Sequence, residues 1–339
     1  MTAAQRDVVA IGGSLGSGAV LRRLLIELPA DFPAAILITT HMPSNGPVHL
    51  AETLALRSRI PVRQAVDGQP IEPGQVIVAA PNRHLLAVDG AVVLGTGPRE
   101  NMTRPAIDPL FRSVALTYGP RAVGLVLSGL LNDGASGLYA IKAMGGTAMA
   151  QHPLDAEAGD MPRAALEAVE ADAVGRAEEL AGMLASIAGT PAGPSLPPAP
   201  ELELEVAIAI GRRLGSDQLR SLADPAPLTC PHCHGVLSEV KGGGPLRYRC
   251  QIGHAFTAEA IVASQEAGVG DALRIAMRVM EERVELVARM AKDARETGRR
   301  AVAELYEARA AEYAGYAATL RRAVTMDLRM ARPAEDLET

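Results

Sequence analysis

The chain has 339 residues, 48% of them apolar, which is enough for two or more domains with their own cores. Its aromatic content of 3%, the absence of Trp and a net charge of −6 argue against a base-stacking platform or a nucleic-acid partner. No run of about 20 apolar residues and no basic-then-apolar leader is present, so no membrane insertion and a cytoplasmic location are expected. The three Cys all fall between Cys230 and Cys250, a clustering that suits a metal site in a reducing compartment better than a disulfide framework.

From residue 7 to about 189, β-branched runs alternate with amphipathic Ala/Leu-rich stretches. Strands are expected at Val8–Ile11, Ala35–Thr40, Val62–Val66, Gln75–Ala80, Ala122–Leu127 and Thr147–Ala150. Helices are expected at Ala19–Leu28, Pro47–Arg57, Ile107–Tyr118, Ala135–Met144, Met161–Ala168 and Glu178–Ala188. This alternation predicts an α/β fold: a doubly wound, mostly parallel sheet with helices on both faces. Asp89-Gly90 between His84–Val88 and Ala91–Leu94 signals an antiparallel hairpin inserted near one edge.

The Pro-rich stretch 190–200 cannot hold a helix or a central strand, and is expected to be a linker that closes a first domain at residues 1–189. Glu201–Ile210 alternates in part like a strand but has the Glu/Ala content of a helix, and a helix is the expectation. It opens a small module expected over 201–258, followed by a helical hairpin over 259–328 and a flexible tail over 329–339. Leu273, Met277, Met280, Val284, Val287, Ala291 and Ala294 step by four and three, and Tyr306, Tyr313 and Leu320 repeat every seven. These spacings predict two antiparallel helices that turn near Gly298.

Three polar residues each stand just past a predicted strand. Ser14 lies in Gly12-Gly13-Ser14-Leu15-Gly16-Ser17-Gly18, His41 precedes Met42-Pro43, and Asp133 lies in Ser128-Gly129-Leu130-Leu131-Asn132-Asp133-Gly134. Carboxyl ends of parallel strands line one edge, where ligands bind. A Ser, a His and an Asp there are the parts for acyl transfer by a hydroxyl nucleophile. Taken singly, Ser14 and Asp133 would equally serve as helix caps and His41 as a structural hydrogen-bonding residue. The Gly-rich turn also allows phosphate binding, although it matches neither a dinucleotide fingerprint nor a P-loop.

Six ordered motifs carry a resemblance. They are Ile11-Gly12-Gly13-Ser14, His41-Met42-Pro43, Ala79-Ala80-Pro81-Asn82-Arg83-His84-Leu85, Arg104-Pro105-Ala106-Ile107-Asp108-Pro109-Leu110-Phe111, Asn132-Asp133-Gly134-Ala135-Ser136-Gly137-Leu138 and Met161-Pro162. Over residues 7–189 the chain resembles the catalytic domain of the chemotaxis protein-glutamate methylesterase (CheB) family. The resemblance implies Ser14 as nucleophile, His41 as general base and Asp133 as the acid that orients it. It also implies Leu15, Arg104, Leu130 and Met161 as oxyanion or substrate positions. The implied reaction is hydrolysis of γ-glutamyl methyl esters on a chemoreceptor or related sensory protein, with glutamine deamidation as a second activity, and catalysis needs no cofactor.

The chain also departs from the family pattern. Leu15-Gly16-Ser17 replaces the more usual Thr-Gly-Gly, and Leu130-Leu131 replaces Met-Gly, so that Leu131 would be strained at positive φ. Only six residues precede the first strand, so no N-terminal receiver domain is expected. An inactive or weak interaction protein and a small-molecule esterase are the rival expectations.

Cys230-Pro231-His232-Cys233 and Cys250-Gln251-Ile252-Gly253-His254 have the spacing of a structural Zn²⁺ site. Cys230, Cys233, Cys250 and His254 are the expected ligands, with His232 or His234 as substitutes for His254. Leu237–Val240 and Leu246–Arg249, around Gly242-Gly243-Gly244, predict the β-hairpin of a zinc-ribbon-like knuckle. Signalling partners are expected to dock through this C-terminal part.

Overall fold

Val8-Val9-Ala10-Ile11 carries no polar side chain and has a strand on either side, so it is buried on both faces at the centre of the sheet. The computed structural model describes residues 4–42, 49–213 and 215–326. The expected helix start at Pro47 and the expected tail over 329–339 lie outside these residues.

The first elements are β1 (Val8–Gly13), α1 (Ser17–Glu27), β2 (Ala35–Thr40), α2 (Leu50–Ala55), β3 (Val62–Gln64), β4 (Val76–Val78), β5 (His84–Val88), β6 (Ala91–Gly95) and α3 (Ile107–Tyr118). Next come β7 (Ala122–Val126), α4 (Ala135–Ala143), β8 (Thr147–Gln151), α5 (Asp160–Ala168), β9 (Ala173–Gly175) and α6 (Leu180–Ile187). Seven of these strands form a parallel sheet in the order β3-β4-β2-β1-β7-β8-β9. Alternate residues of β1 feed two cores. Val8 and Ala10 pack with α3, α4 and α5 on one face, and Val9 and Ile11 pack with α1 and α6 on the other. The doubly wound α/β expectation holds.

The expected inserted antiparallel hairpin is present as β5–β6. It forms a separate two-stranded sheet whose Leu85 and Ala87 are buried in the α3-side core.

The remaining elements are α7 (Pro200–Ile210), α8 (Ser216–Leu222), β10 (Ala223–Thr229), β11 (Val236–Val240), β12 (Arg247–Cys250), β13 (Ala255–Thr257), α9 (Ala258–Glu296) and α10 (Arg300–Val324). The first compact unit runs to Ala260, so α7 and the knuckle lie in the same unit as the parallel sheet. The Pro-rich stretch begins pinned to the N-terminal segment. Arg6 N–H donates to Thr190 O (2.9 Å), Ala192 N–H to Ala4 O (2.7 Å), and the Arg6 guanidinium to Thr190 Oγ1 (3.0 Å). Helix α7 packs on α3, β5 and β6, with Leu202 in the α3-side core. The knuckle is larger than a single hairpin: β10-β11-β12-β13 form a four-stranded antiparallel sheet.

A buried ion cluster ties α7 and the knuckle to the parallel-sheet body. Arg249, 0% exposed, donates to Glu100 Oε1 (3.0 Å) and Glu205 Oε1 (3.1 Å). Arg112 on α3 pairs with Glu100 and lies 3.9 Å from Glu205, and Arg247 donates to Glu205 Oε1 (2.5 Å). Burial would raise both carboxyls. Arg247, Arg112 and Arg249 around Glu205, and Arg112 and Arg249 around Glu100, outweigh it and hold both below the ordinary range.

The second unit starts at Ile261. Within it, α9 turns at Gly298 (φ 77°) into α10, and Arg295–Glu307 and Arg321–Glu281 ion pairs join the two helices. The expected seam is the less exposed face of α9, ending in buried Ala291 and Ala294, and Ala303 and Ala317 are buried on α10. Among the described residues, no helix is long and apolar enough to cross a membrane.

Candidate active site

Strands β2, β1 and β7 are neighbours, and the loops at their carboxyl ends converge on one point of the sheet edge. Gly13, the last residue of β1, pairs with Thr40, the last of β2, so Ser14 and His41 leave the same rung of the ladder. Strand spacing alone then puts their backbones about 5 Å apart. His41 N–H donates to Gly13 O (3.4 Å), and Ser14 N–H donates across to Ser128 O after β7 (2.8 Å). The chain leaves β1 through α1 toward β2, whereas β7 on the other side returns much later. Ser14 therefore sits at a topological switch point.

The turn after β1 is held by short polar contacts. Ser17 Oγ donates to Ser14 O (2.6 Å), and Ser128 Oγ donates to Leu15 O (2.7 Å) while accepting Ala158 N–H (2.9 Å). Gly12 is needed because the start of α3 lies directly on β1: a Cβ there would stand 2.2 Å from Ile107 Cγ2.

That close approach serves Asp133, which is 1% exposed. Its Oδ2 accepts His41 Nε2–H (2.7 Å) and Ile107 N–H (2.7 Å), and its Oδ1 accepts Asp108 N–H (3.1 Å) and an Asn101 Nδ2–H (3.1 Å). Ile107 and Asp108 open α3, so the carboxylate lies against free N–H groups at the positive end of that helix. Asp133 does not cap α4, whose N-cap is Gly134. Burial pushes the Asp133 carboxyl up, but the hydrogen bond and charge of His41 and the two backbone donors hold it below its ordinary value. An ionised Asp133 accepts, so His41 Nε2 carries the proton and Nδ1 offers its lone pair.

Asp108 stands beside this carboxylate. Its Oδ1 accepts Gly134 N–H (3.0 Å) and Gly137 N–H (2.7 Å), and its Oδ2 accepts the second Asn101 proton (3.1 Å). Burial and the adjacent Asp133 charge push it up to about 7. Sequence reasoning quoted Asp108 within a motif without a role and missed Asn101. Asp108 is a carboxylate in the first turn of a helix buried along most of its length, which was the available signal.

The secondary candidates separate. Met161 is buried, and its Sδ packs where a Cβ on Gly129 would stand, a position also 3.0 Å from Ser14 Cβ, so Met161 forms a wall beneath the turn. Leu15 and Leu130 are exposed next to the turn and to Gly129. Leu131 takes φ 62°, the strained conformation expected of it. Arg104 is directed elsewhere. It donates to Asn82 Oδ1 (2.7 and 3.1 Å) and to the carbonyls of Gly97 (2.7 Å) and Thr96 (3.2 Å), bracing the loops that flank the hairpin.

Asn101 belongs to a tight turn in which Glu100 and Thr103 exchange backbone bonds (2.9 and 3.2 Å), with φ 48° at Asn101 and 67° at Met102. Such a turn favours Asn-Gly, and Met102 occupies the Gly position. Met102→Gly is expected to raise stability by about 0.5–1 kcal/mol in urea unfolding, since αL strain of about 1–2 kcal/mol exceeds the added entropy of Gly.

The four candidate metal ligands converge. Cys230 and Cys233 lie in the turn after β10, Cys250 ends β12 and His254 precedes β13. Cys233 Sγ is 3.7 Å from Cys250 Sγ, and His254 Nδ1 is 3.4 Å from Cys250 Sγ and 3.9 Å from Cys230 Sγ. A tetrahedron with metal–sulfur bonds of about 2.3 Å and a metal–nitrogen bond of about 2.0 Å has edges of about 3.5–3.8 Å, so this donor set fits zinc. Burial, His232 and Arg249 lower His254 to about 4, which leaves it neutral as a ligand must be. His232 instead packs on the His254 ring, centroids 4.3 Å apart.

Ser14, His41 and the buried Asp133 lie at the ends of neighbouring strands in a doubly wound sheet, the set of side chains that acyl transfer in an α/β fold requires. A family model described as CheB methylesterase matches residues 9–184, and the chain belongs to that family. A relative from Anaeromyxobacter dehalogenans (strain 2CP-C), "Protein-glutamate methylesterase/protein-glutamine glutaminase 2", is 40% identical over 178 residues, 52% of this chain and 52% of its own length. One of the same name without the numeral, from Moorella thermoacetica, is 40% identical over 186 residues, 53% of this chain and 44% of its own. The chain thus spans about half the length of the curated relatives it matches. The solved catalytic domain of Thermotoga maritima CheB methylesterase is similar over 53% of this chain and 97% of its own, with a TM-score of 0.51 and 32% identity.

Proposed function

We propose that the protein is a protein-glutamate methylesterase whose nucleophile is Ser14. The observation that carries this reading is the delivery of Ser14 and His41 from one rung of the sheet, with Asp133 hydrogen-bonded to His41 at 2.7 Å. His41 Nδ1 takes the proton as Ser14 Oγ attacks the ester carbonyl, and Asp133 stabilises the imidazolium. Leu15 and Gly16 lead into α1, and backbone N–H groups at the positive end of that helix would stabilise the developing oxyanion. Methanol takes the proton back from His41 and leaves. Water, deprotonated by the same nitrogen, then releases glutamate from Ser14. On a glutamine side chain the same steps would release ammonia, in line with the glutaminase in the relatives' names.

The substrate in this reading is a methylated receptor or other sensory protein in the cytoplasm. The α9–α10 hairpin would dock signalling partners, since Ile275, Val279 and Leu286 are exposed along it. Methanol release from a γ-methyl-glutamyl receptor segment tests the reading, and a wild-type protein that releases none would end it.

Cys230, Cys233, Cys250 and His254 would hold a structural zinc ion. The ion would cross-link the two turns and, with all four positions filled by protein, take no part in the chemistry. About one zinc per chain is expected to co-purify, and Cys230→Ser with Cys250→Ser to abolish it. Metal analysis without zinc, together with unchanged melting of that double variant, would remove the claim.

A further inference from the structure

Two asparagines flank the catalytic acid, and the segment just after His254 holds both. Asn101 N–H donates to Ala255 O (2.8 Å), and Asn101 Oδ1 accepts Thr257 N–H (3.0 Å). This contact sets the amide: its oxygen faces a backbone donor, so its NH₂ must lie between the carboxylates of Asp133 and Asp108. Thr257 Oγ1 donates to Asn132 Oδ1 (2.5 Å), and Asn132 Nδ2 donates to Glu259. Asn132 is the residue immediately before Asp133. The backbone of β13 thus clamps one neighbour of the acid, and the Thr257 hydroxyl clamps the other. β13 itself begins one residue past His254, and Arg249 ties that turn through Gly253 O (2.7 Å) and Glu100.

We infer that Asn101 and Thr257 are positioning residues that carry the order of the Cys230, Cys233, Cys250 and His254 cluster to Asp133. The inference rests on the acyl-transfer reading above. Two carboxylates as close as Asp108 and Asp133 repel each other, and the Asn101 amide is the donor that bridges them. If β13 loosens, the amide loses the Thr257 N–H donor that sets its orientation, and Asn132 is released beside the acid. His41 is then held less well, although neither Asn101 nor Thr257 touches it. Groups that orient a reacting side chain in this way typically change rates by about 10–100-fold.

The test uses the full chain and three readouts: methanol release, zinc content and the NMR signal of the proton between His41 Nε2 and Asp133 Oδ2. Thr257→Val keeps the shape and removes the hydroxyl. It is expected to lower kcat about 10- to 100-fold with KM within about twofold, and to broaden the His41 proton signal, while Thr257→Ser restores both. Cys250→Ser, or removal of zinc by a chelator, is expected to produce the same broadening. Combined with Thr257→Val, Cys250→Ser should cost no more than the larger single loss, because both act through one path. Should Thr257→Val not fold, Glu259→Ala, at an exposed position, is expected to lower kcat severalfold with an unchanged melting temperature.

An unaltered His41 signal and kcat in Thr257→Val, or losses that multiply with those of Cys250→Ser, would overturn the inference. Ser14→Ala separates the two readings. If it leaves methanol release intact, the catalytic assignment fails, and the His41 signal still decides whether β13 orders Asp133.

Discussion

Ser14→Ala is expected to lower methanol release by on the order of 10⁴-fold or more while the melting temperature stays within about 1 °C of wild type. The side chain stands outside the regular strand, and the bonds that shape its turn come from backbone groups, Ser17 and Ser128, so its hydroxyl contributes little to folding. His41→Ala should fall as far as Ser14→Ala, and the double variant no further, because nucleophile and base act as one unit. Asp133→Asn should also be severe, since its amide would donate toward Ile107 N–H or His41 Nε2–H, where the site needs an acceptor. Methanol release by Ser14→Ala at even a tenth of the wild-type rate would place the nucleophile elsewhere.

The second large effect concerns the junction between the parallel-sheet body and the C-terminal elements. A chain ended after Gly189 is expected not to fold stably. It would expose the α3-side core that Leu202 covers and leave Arg112 and Glu100 without Arg249 and Glu205. In the full chain, Glu205→Ala is expected to cost about 3–5 kcal/mol, the usual penalty for stranding partners of a buried ion network. Glu100 and Glu205 are held below their ordinary values, so their stabilising contribution is complete above about pH 4.5 and is lost as pH falls below it. Urea unfolding of wild type and Glu205→Ala at pH 7 and pH 4 checks this, with the difference between them shrinking at the lower pH. A Gly189-truncated chain with native melting would show that the ion network is dispensable to the body.

Much of the parallel sheet follows from local sequence. Val8–Gly13, Ala35–Thr40 and Ala122–Val126 are largely apolar on both faces, as central parallel strands are, and the loops that follow them carry Ser14, His41 and Asp133. Ser14, His41 and Asp133 were legible because they are polar residues placed just beyond such runs. The Cys spacing was legible because metal ligands on tight turns repeat at short intervals, and the four donors do converge.

What the sequence alone did not decide is what each polar side chain faces. Arg104 and Asp108 come from one motif, yet Arg104 braces the loops around the hairpin while Asp108 stands beside Asp133. Glu205 had no assigned role in the sequence, and only the docking of α7 on α3 brought it to Arg112, Arg247 and Arg249. The Pro-rich stretch holds no helix or named strand before Pro200, where α7 begins, but composition cannot say whether the segments it joins separate or pack. That depended on long-range charge pairing between Glu100, Glu205 and Arg249. Local propensity has no term for such pairing, so the tertiary structure alone merged the knuckle with the parallel-sheet body.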